Sequence, residues 1–181
     1  RIFDLVEGDD LAKLETVIRK FRPEVVINAI GIVKQRSESK QAIESIQVNS
    51  LLPHRLSIIC GKVGARFVHL STDCVFSGAR GQYRETDIAD AMDLYGRSKH
   101  LGEVLDAGAV TLRTSIIGLE LSRKKSLIEW FLSQKGPITG YRKAIFSGFT
   151  TVEMARIIEM VVHDRNNVSG LFHVSSEPID K

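Results

Sequence analysis

From Asp10 to Phe21 the apolar residues Leu11, Leu14, Val17, Ile18 and Phe21 recur every three or four positions, the spacing of one helix face. Pro23 follows and stops that helix. Glu24 to Gly31 (EVVINAIG) is a short apolar run rich in β-branched residues and predicts a strand buried on both faces. Lys34 to Lys40 is polar and predicts a loop. Gln41 to Val63 returns to helical spacing with Ile43, Ile46, Leu52, Leu56 and Ile59, and Pro53 is expected to kink or divide it.

Arg66 to Ser71 (RFVHLS) predicts a second buried strand. A loop with Gly78 and Gly81 leads to a helix from about Leu94 to Leu105. Ala109 to Gly118 (AVTLRTSIIG) predicts a third strand, and Ser126 to Gln134 a helix. A region broken by Gly and Pro runs to Gly148. Thr151 to Asp164 is a helix whose Val152, Ala155, Ile158, Val161 and Val162 share a face. Gly170 to Ser176 predicts a last strand. Strands alternating with helices in this way predict an α/β fold, a parallel sheet with helices on both faces and right-handed crossovers. Ligands gather at the carboxyl ends of such strands. Attention therefore falls on Ala29 to Gly31, Ser71 to Asp73 and Thr114 to Gly118.

The 181 residues suffice for a domain with its own core. A hydrophobic share of 43% and a charged share of 26% place the chain among ordinary globular proteins. The formal net charge of +3 comes without a dense Lys/Arg stripe, so no nucleic-acid partner is expected. The excess could help attract an anionic small substrate. Cys60 and Cys74 do not stand at metal-ligand spacing, and the five histidines are scattered, so no metal is expected. His69, within a strand, reads as a core residue. No apolar run reaches membrane-span length and no signal-peptide core opens the chain. A cytoplasmic protein with no membrane partner is the expectation.

Tyr95 and Lys99 are four residues apart on a predicted helix, so both project from one surface. A nearby ammonium favours phenolate, and a phenol tuned from its usual pKa of about 10 can act as general acid or base. Packing on a helix surface would produce the same pair. Ser71 and Thr72 end a buried strand upstream, where a hydroxyl could bond the carbonyl oxygen that the tyrosine protonates, or simply cap the turn.

Taken together these stretches resemble the extended short-chain dehydrogenase/reductases, in the branch of dTDP-4-dehydrorhamnose reductase and related nucleotide-sugar reductases. The matching segments are RPEVVINAIG, VNSLLPHRLS, GARFVHLSTDCVFSG, GQYRETD, DLYGRSKHLGE and LRTSIIG, over roughly residues 1 to 120, with GLFHVSSEP later. The resemblance implies a Rossmann-like doubly wound parallel sheet and reduction of a 4-keto nucleotide sugar by NADP(H) or NAD(H), in the supply of surface-polysaccharide precursors. It casts Tyr95 as proton donor, Lys99 as the group that lowers its pKa and binds the nicotinamide ribose, and Thr72 as the group that orients the carbonyl. Asp4, Leu5, Asn28, Ala29, Ile30, Gly31, Asn49, Ser71, Ser115 and Ile116 would contact the cofactor. For Asn49 a structural hydrogen bond is an equal alternative. Asp73, Val75 and Phe76 would face the sugar, though Val75 and Phe76 could as easily be core.

The related 4,6-dehydratases carry Glu where this chain has Cys74, and a thiol is a poor stand-in for that acid. Carbonyl reduction is therefore favoured, with an epimerase as an alternative. A non-catalytic binding subunit, as in the similar regulatory beta subunit of methionine adenosyltransferase, or an inactive fragment is the reading from another class. The family's glycine-rich phosphate turn is absent. The chain is thus expected to lack the first βαβ unit and to stop within a small C-terminal substrate-binding portion. On that view residues 1–118 form a partial dinucleotide-binding domain and residues 119–181 a partial substrate-binding region. Loss of the first strand would expose the edge of the EVVINAIG run and favour a homodimer.

Overall fold

The computed structural model describes residues 10–33, 41–121, 126–163 and 168–180. Along the chain these form α1 (Leu11–Phe21), β1 (Val25–Asn28), α2 (Ala42–Ser45), α3 (Leu52–Val63), β2 (Arg66–Thr72), α4 (Leu94–Leu101) and β3 (Ala109–Thr114). They continue as β4 (Ile116–Ile117), α5 (Leu127–Ser133), β5 (Ile145–Phe146), β6 (Phe149–Thr150), α6 (Thr151–His163), β7 (Gly170–His173) and β8 (Ile179–Asp180). Two compact units divide the chain, one over 1–113 and 165–173, the other over 114–164 and 174–181.

The first unit carries the main sheet, in the order β1-β2-β3-β7. β1 lies parallel to β2, with Val25 opposite Arg66 and Asn28 opposite His69. β3 lies parallel to β7, with Val110 opposite Gly170 and Arg113 opposite His173. The α/β fold expected from the alternation is therefore present. All of β3 is buried, as a central parallel strand should be. β1 departs from the expectation of burial on both faces. Among the described residues it is the sheet's edge strand, and Ile27 stays half exposed.

Local chemistry sets the helix ends. Asp10 accepts the Lys13 N–H and caps α1, and Gly64 closes α3 at φ 75°, a conformation that suits glycine. The division expected at Pro53 falls ahead of it, in a π-helical turn over Ile46–Leu51 that joins α2 to α3. Pro53 occupies the first turn of α3, where a missing N–H costs least. The core of this unit gathers Ile18 of α1, Leu52, Leu56, Ile59 and Cys60 of α3, and Phe67, Val104 and Ala109. Burying each large apolar side chain there contributes about 1.5–3 kcal/mol.

In the second unit β4 pairs parallel with β6, and β5 antiparallel with β8. The run 109–118, expected as one strand, is thus split between the main sheet and a separate two-stranded one. Thr150 accepts the Glu153 N–H and starts α6, whose Met154 is buried. Among the described residues no helix is long and apolar enough to cross a membrane.

Candidate active site

Two elements of the first unit build the site: the carboxyl end of β2 and helix α4. Asp93 caps α4 by accepting the Gly96 N–H at 3.1 Å. Gly96 then lets the helix lie directly on the short 3-10 turn Asp73–Val75, because a β-carbon there would overlap the Cys74 carbonyl oxygen. Gly102 does the same at the other end, against the Asn49 carbonyl oxygen. This close approach sets the Tyr95 phenol beside the Thr72 hydroxyl, near enough for that hydroxyl to bear on its ionisation. Thr72 Oγ1 also accepts the Cys74 N–H at 3.1 Å and donates to Asp73 Oδ1 at 3.3 Å, so its orientation is set. One helical turn on, Lys99 Nζ donates to the Leu70 carbonyl at 2.7 Å.

Burial dominates the ionisation of both groups. It pushes the Tyr95 phenol up to about 12. The Thr72 hydroxyl opposes that rise, while Cys74, Asp73 and Asp93 add to it. Burial also pulls the Lys99 ammonium down to about 8, against the charge of Glu103. The expected lowering of the phenol by Lys99 is therefore corrected. The ammonium points into β2, and desolvation of the phenolate outweighs any help it receives. Tyr95 is a protonated phenol at neutral pH.

The segment after β1 is held at two points. Asn28, fully buried, accepts the Ile30 N–H through Oδ1 at 3.1 Å and donates from Nδ2 to His69 Nδ1 at 3.1 Å. His69 is pushed down to about 3 by burial and by the Lys99 charge, so it stays neutral. Asn49 grips Ile32 twice, accepting its N–H at 2.8 Å and donating to its carbonyl at 3.1 Å, and also bonds Ser98 Oγ at 3.2 Å. Asn49 thus has the structural hydrogen bonds that its position allowed. Between these clamps Ala29 and Ile30 are exposed and Gly31 half-buried. A β-carbon at Gly31 would lie 3.4 Å from Asn49 Oδ1 and 3.8 Å from Lys99 Nζ. An open backbone turn beside an amide and an ammonium suits the polar groups of a dinucleotide.

The remaining expected residues divide. Asp73 is exposed at the mouth of the turn. Val75 is fully buried and cannot face a sugar, so that role is withdrawn: the turn that holds Thr72 drives Val75 into the core. Phe76 is part of an aromatic stack, 4.2 Å from the Tyr83 ring and edge-on to His173 at 5.6 Å. Ser71 is buried, and its hydroxyl donates to Glu103 Oε1 at 2.8 Å. Ser115 and Ile116 belong to the second unit, where Ile116 pairs with Phe149. Asp4 and Leu5 lie outside the described residues. Glu103, Arg113 and His173 were given no role in the reading of the sequence. The signal for Glu103 was there: Tyr95, Lys99 and Glu103 are spaced by four.

A parallel sheet with a strand-end threonine beside a helix-borne tyrosine, and a lysine one turn on, defines a Rossmann-like α/β protein with a polar site at its strand ends. The chain belongs to the RmlD substrate binding domain family, which it matches over residues 4–178. It is 34% identical over 165 residues to the spore coat polysaccharide biosynthesis protein SpsK of Bacillus subtilis (strain 168), covering 88% of this chain and 57% of that one. It is 27% identical over 179 residues to the dTDP-4-dehydrorhamnose reductase of Aggregatibacter actinomycetemcomitans, covering 90% and 59%. The chain thus spans less than two thirds of either relative. The crystal structure of dTDP-4-dehydrorhamnose reductase from Bacillus anthracis str. Ames in complex with NADP superposes with a TM-score of 0.85 at 23% identity, over 98% of this chain and 66% of that one, and shows the shared fold.

Proposed function

We propose that this chain is the catalytic portion of an NAD(P)H-dependent reductase of a 4-keto nucleotide sugar, acting in surface-polysaccharide precursor synthesis. The observation that carries the reading is the meeting of Tyr95 and Thr72 at the end of β2, with the Lys99 ammonium buried beside that strand. Relatives with a reductase name and a polysaccharide name support the substrate class.

The open turn Ala29–Gly31, with Asn49 and Lys99 beside it, would hold the dinucleotide. When bound, the reduced nicotinamide supplies hydride to the sugar carbonyl carbon. Thr72 would present its hydroxyl to the carbonyl oxygen, and the Tyr95 phenol would deliver the proton to that oxygen. A protonated phenol suits this direction. An epimerase turnover, which begins by removing hydride and proton from an alcohol, needs the phenolate that burial disfavours here. Lys99 would hold its charge near the cofactor and stabilise negative charge on Tyr95 once the proton has left.

The test is consumption of NADPH by the natural gene product with a dTDP-4-keto-6-deoxysugar, beside direct binding of NADPH. Turnover that falls by about 10²- to 10⁴-fold in Tyr95→Phe while NADPH still binds is the expected result. Binding of a protein partner with no NADPH binding and no turnover would replace this reading with the regulatory-subunit one.

A further inference from the structure

Three residues spaced by four along α4 and its continuation meet three neighbouring residues of β2. Tyr95 lies beside Thr72, Lys99 donates to the Leu70 carbonyl at 2.7 Å, and Glu103 accepts from the Ser71 hydroxyl at 2.8 Å. We propose that Glu103 is a positioning residue for Lys99 and Thr72: it pins the Ser71 end of β2 and places a compensating negative charge four residues from the buried ammonium. This inference rests on Lys99 and Thr72 being site residues as proposed above.

The carboxylate is firmly held. Arg113 Nε donates to Oε1 and Arg113 Nη2 to Oε2, each at 2.7 Å, and His100 Nδ1 lies 2.9 Å from Oε2. The side chains of Glu103 and Arg113 are each only 4% exposed. A buried ion pair of this kind adds little net stability over apolar residues of the same shape, so what it orients is the better account of its presence. Arg113 carries the arrangement further, reaching His173 Nε2 at 3.2 Å and lying 5.0 Å over the Phe76 ring.

Electrostatics point the same way. Burial works against the Glu103 charge, but the bonds from Arg113, His100 and Ser71 hold its carboxyl below the usual range. Burial works against the Lys99 charge as well, and Glu103 is what opposes that loss. Tyr95, one turn before Lys99 on α4, is a protonated phenol, and His69 on β2, which feels the Lys99 charge, is a neutral imidazole. Asp73 is exposed at the strand end, and the Arg113 cation is paired with Glu103.

Carbon-13 NMR of the Lys99 side chain, followed against pH in the 181-residue chain, tests this without cofactor or substrate. The wild-type midpoint is expected near 8. Glu103→Gln should lower it by roughly one unit or more. Ser71→Ala, which removes a hydrogen bond and no charge, should keep the wild-type midpoint. Because Glu103→Gln strands the Arg113 cation, the pair Glu103→Gln with Arg113→Met serves as a second probe, and its midpoint should also fall. An unmoved midpoint in either folded variant overturns the proposal, as does an equal fall in Ser71→Ala. A chain that reduces no sugar would leave this result standing. An unmoved midpoint in an active enzyme would remove this inference alone.

Discussion

Gly96 and Cys74 are in contact through the backbone: a β-carbon at Gly96 would overlap the Cys74 carbonyl oxygen and come within 2.5 Å of the Ala91 methyl. That contact seats α4 on the turn after β2 and sets Tyr95 against Thr72. Alanine is the better helix former by about 1 kcal/mol, yet Gly96→Ala should destabilise the protein by about 1–3 kcal/mol, because the obstruction is backbone and cannot rotate away. Gly61→Ala, in α3 with open space around the new methyl, should instead stabilise by about 0.5–1 kcal/mol. Urea denaturation of the two variants checks the contrast.

Tyr95→Phe keeps the ring and removes the proton. Turnover in the NADPH assay should fall by about 10²- to 10⁴-fold, with NADPH affinity close to wild type. An unchanged rate would remove Tyr95 from the proposed chemistry. The folded phenol is raised to about 12, so the activity of the wild type should not show an alkaline limb from this group below that pH.

Lys99 gives stability a defined pH dependence. Its ammonium is lowered from 10.5 to about 8 in the folded protein, so between those values the unfolded chain binds more protons. Its contribution to stability therefore rises with pH across that window, by at most about 1.4 kcal/mol per unit. Cys60 and Tyr95, whose folded values are raised to about 11 and about 12, act in the opposite sense at alkaline pH. The difference between wild type and Lys99→Met removes those two contributions. Wild type should gain on the variant from about pH 8 upward, and a flat difference would contradict the burial of the charge.

His69 acts at the acid end. Its imidazole is lowered from 6.5 to about 3, so the unfolded chain takes up a proton through that range and the folded one does not. Its contribution is therefore lost as pH falls from 6.5 toward 3. Replacing it by glutamine removes that dependence. The stability advantage of wild type over His69→Gln should shrink steadily on acidification, as read from thermal melts at a series of pH values.

Much of the fold was legible because its signals are local. The spacing of Leu11 to Phe21, the apolar runs of β2 and β3 and the face of α6 each follow from a few neighbouring residues. Two-residue strands such as β5, β6 and β8 hold too few side chains to show a period. The break of the 109–118 run at Ser115 was hidden because the apolar pattern continues through it, and only pairing with β6 draws Ile116 into another sheet. Val75 looked as available to a ligand as Asp73, since nothing in Asp-Cys-Val shows which way a tight turn will face.

By itself the sequence determined the alternation of strand and helix, the four-residue spacing of Tyr95, Lys99 and Glu103, and the glycines that permit close packing. Tertiary structure alone decided which of those groups meet and how they ionise. Desolvation depends on atoms brought from distant positions. The same burial that joins Tyr95 to Thr72 raised the phenol rather than lowering it. It also set Arg113, ten residues away in the chain, against Glu103 in a pair that no local pattern announces.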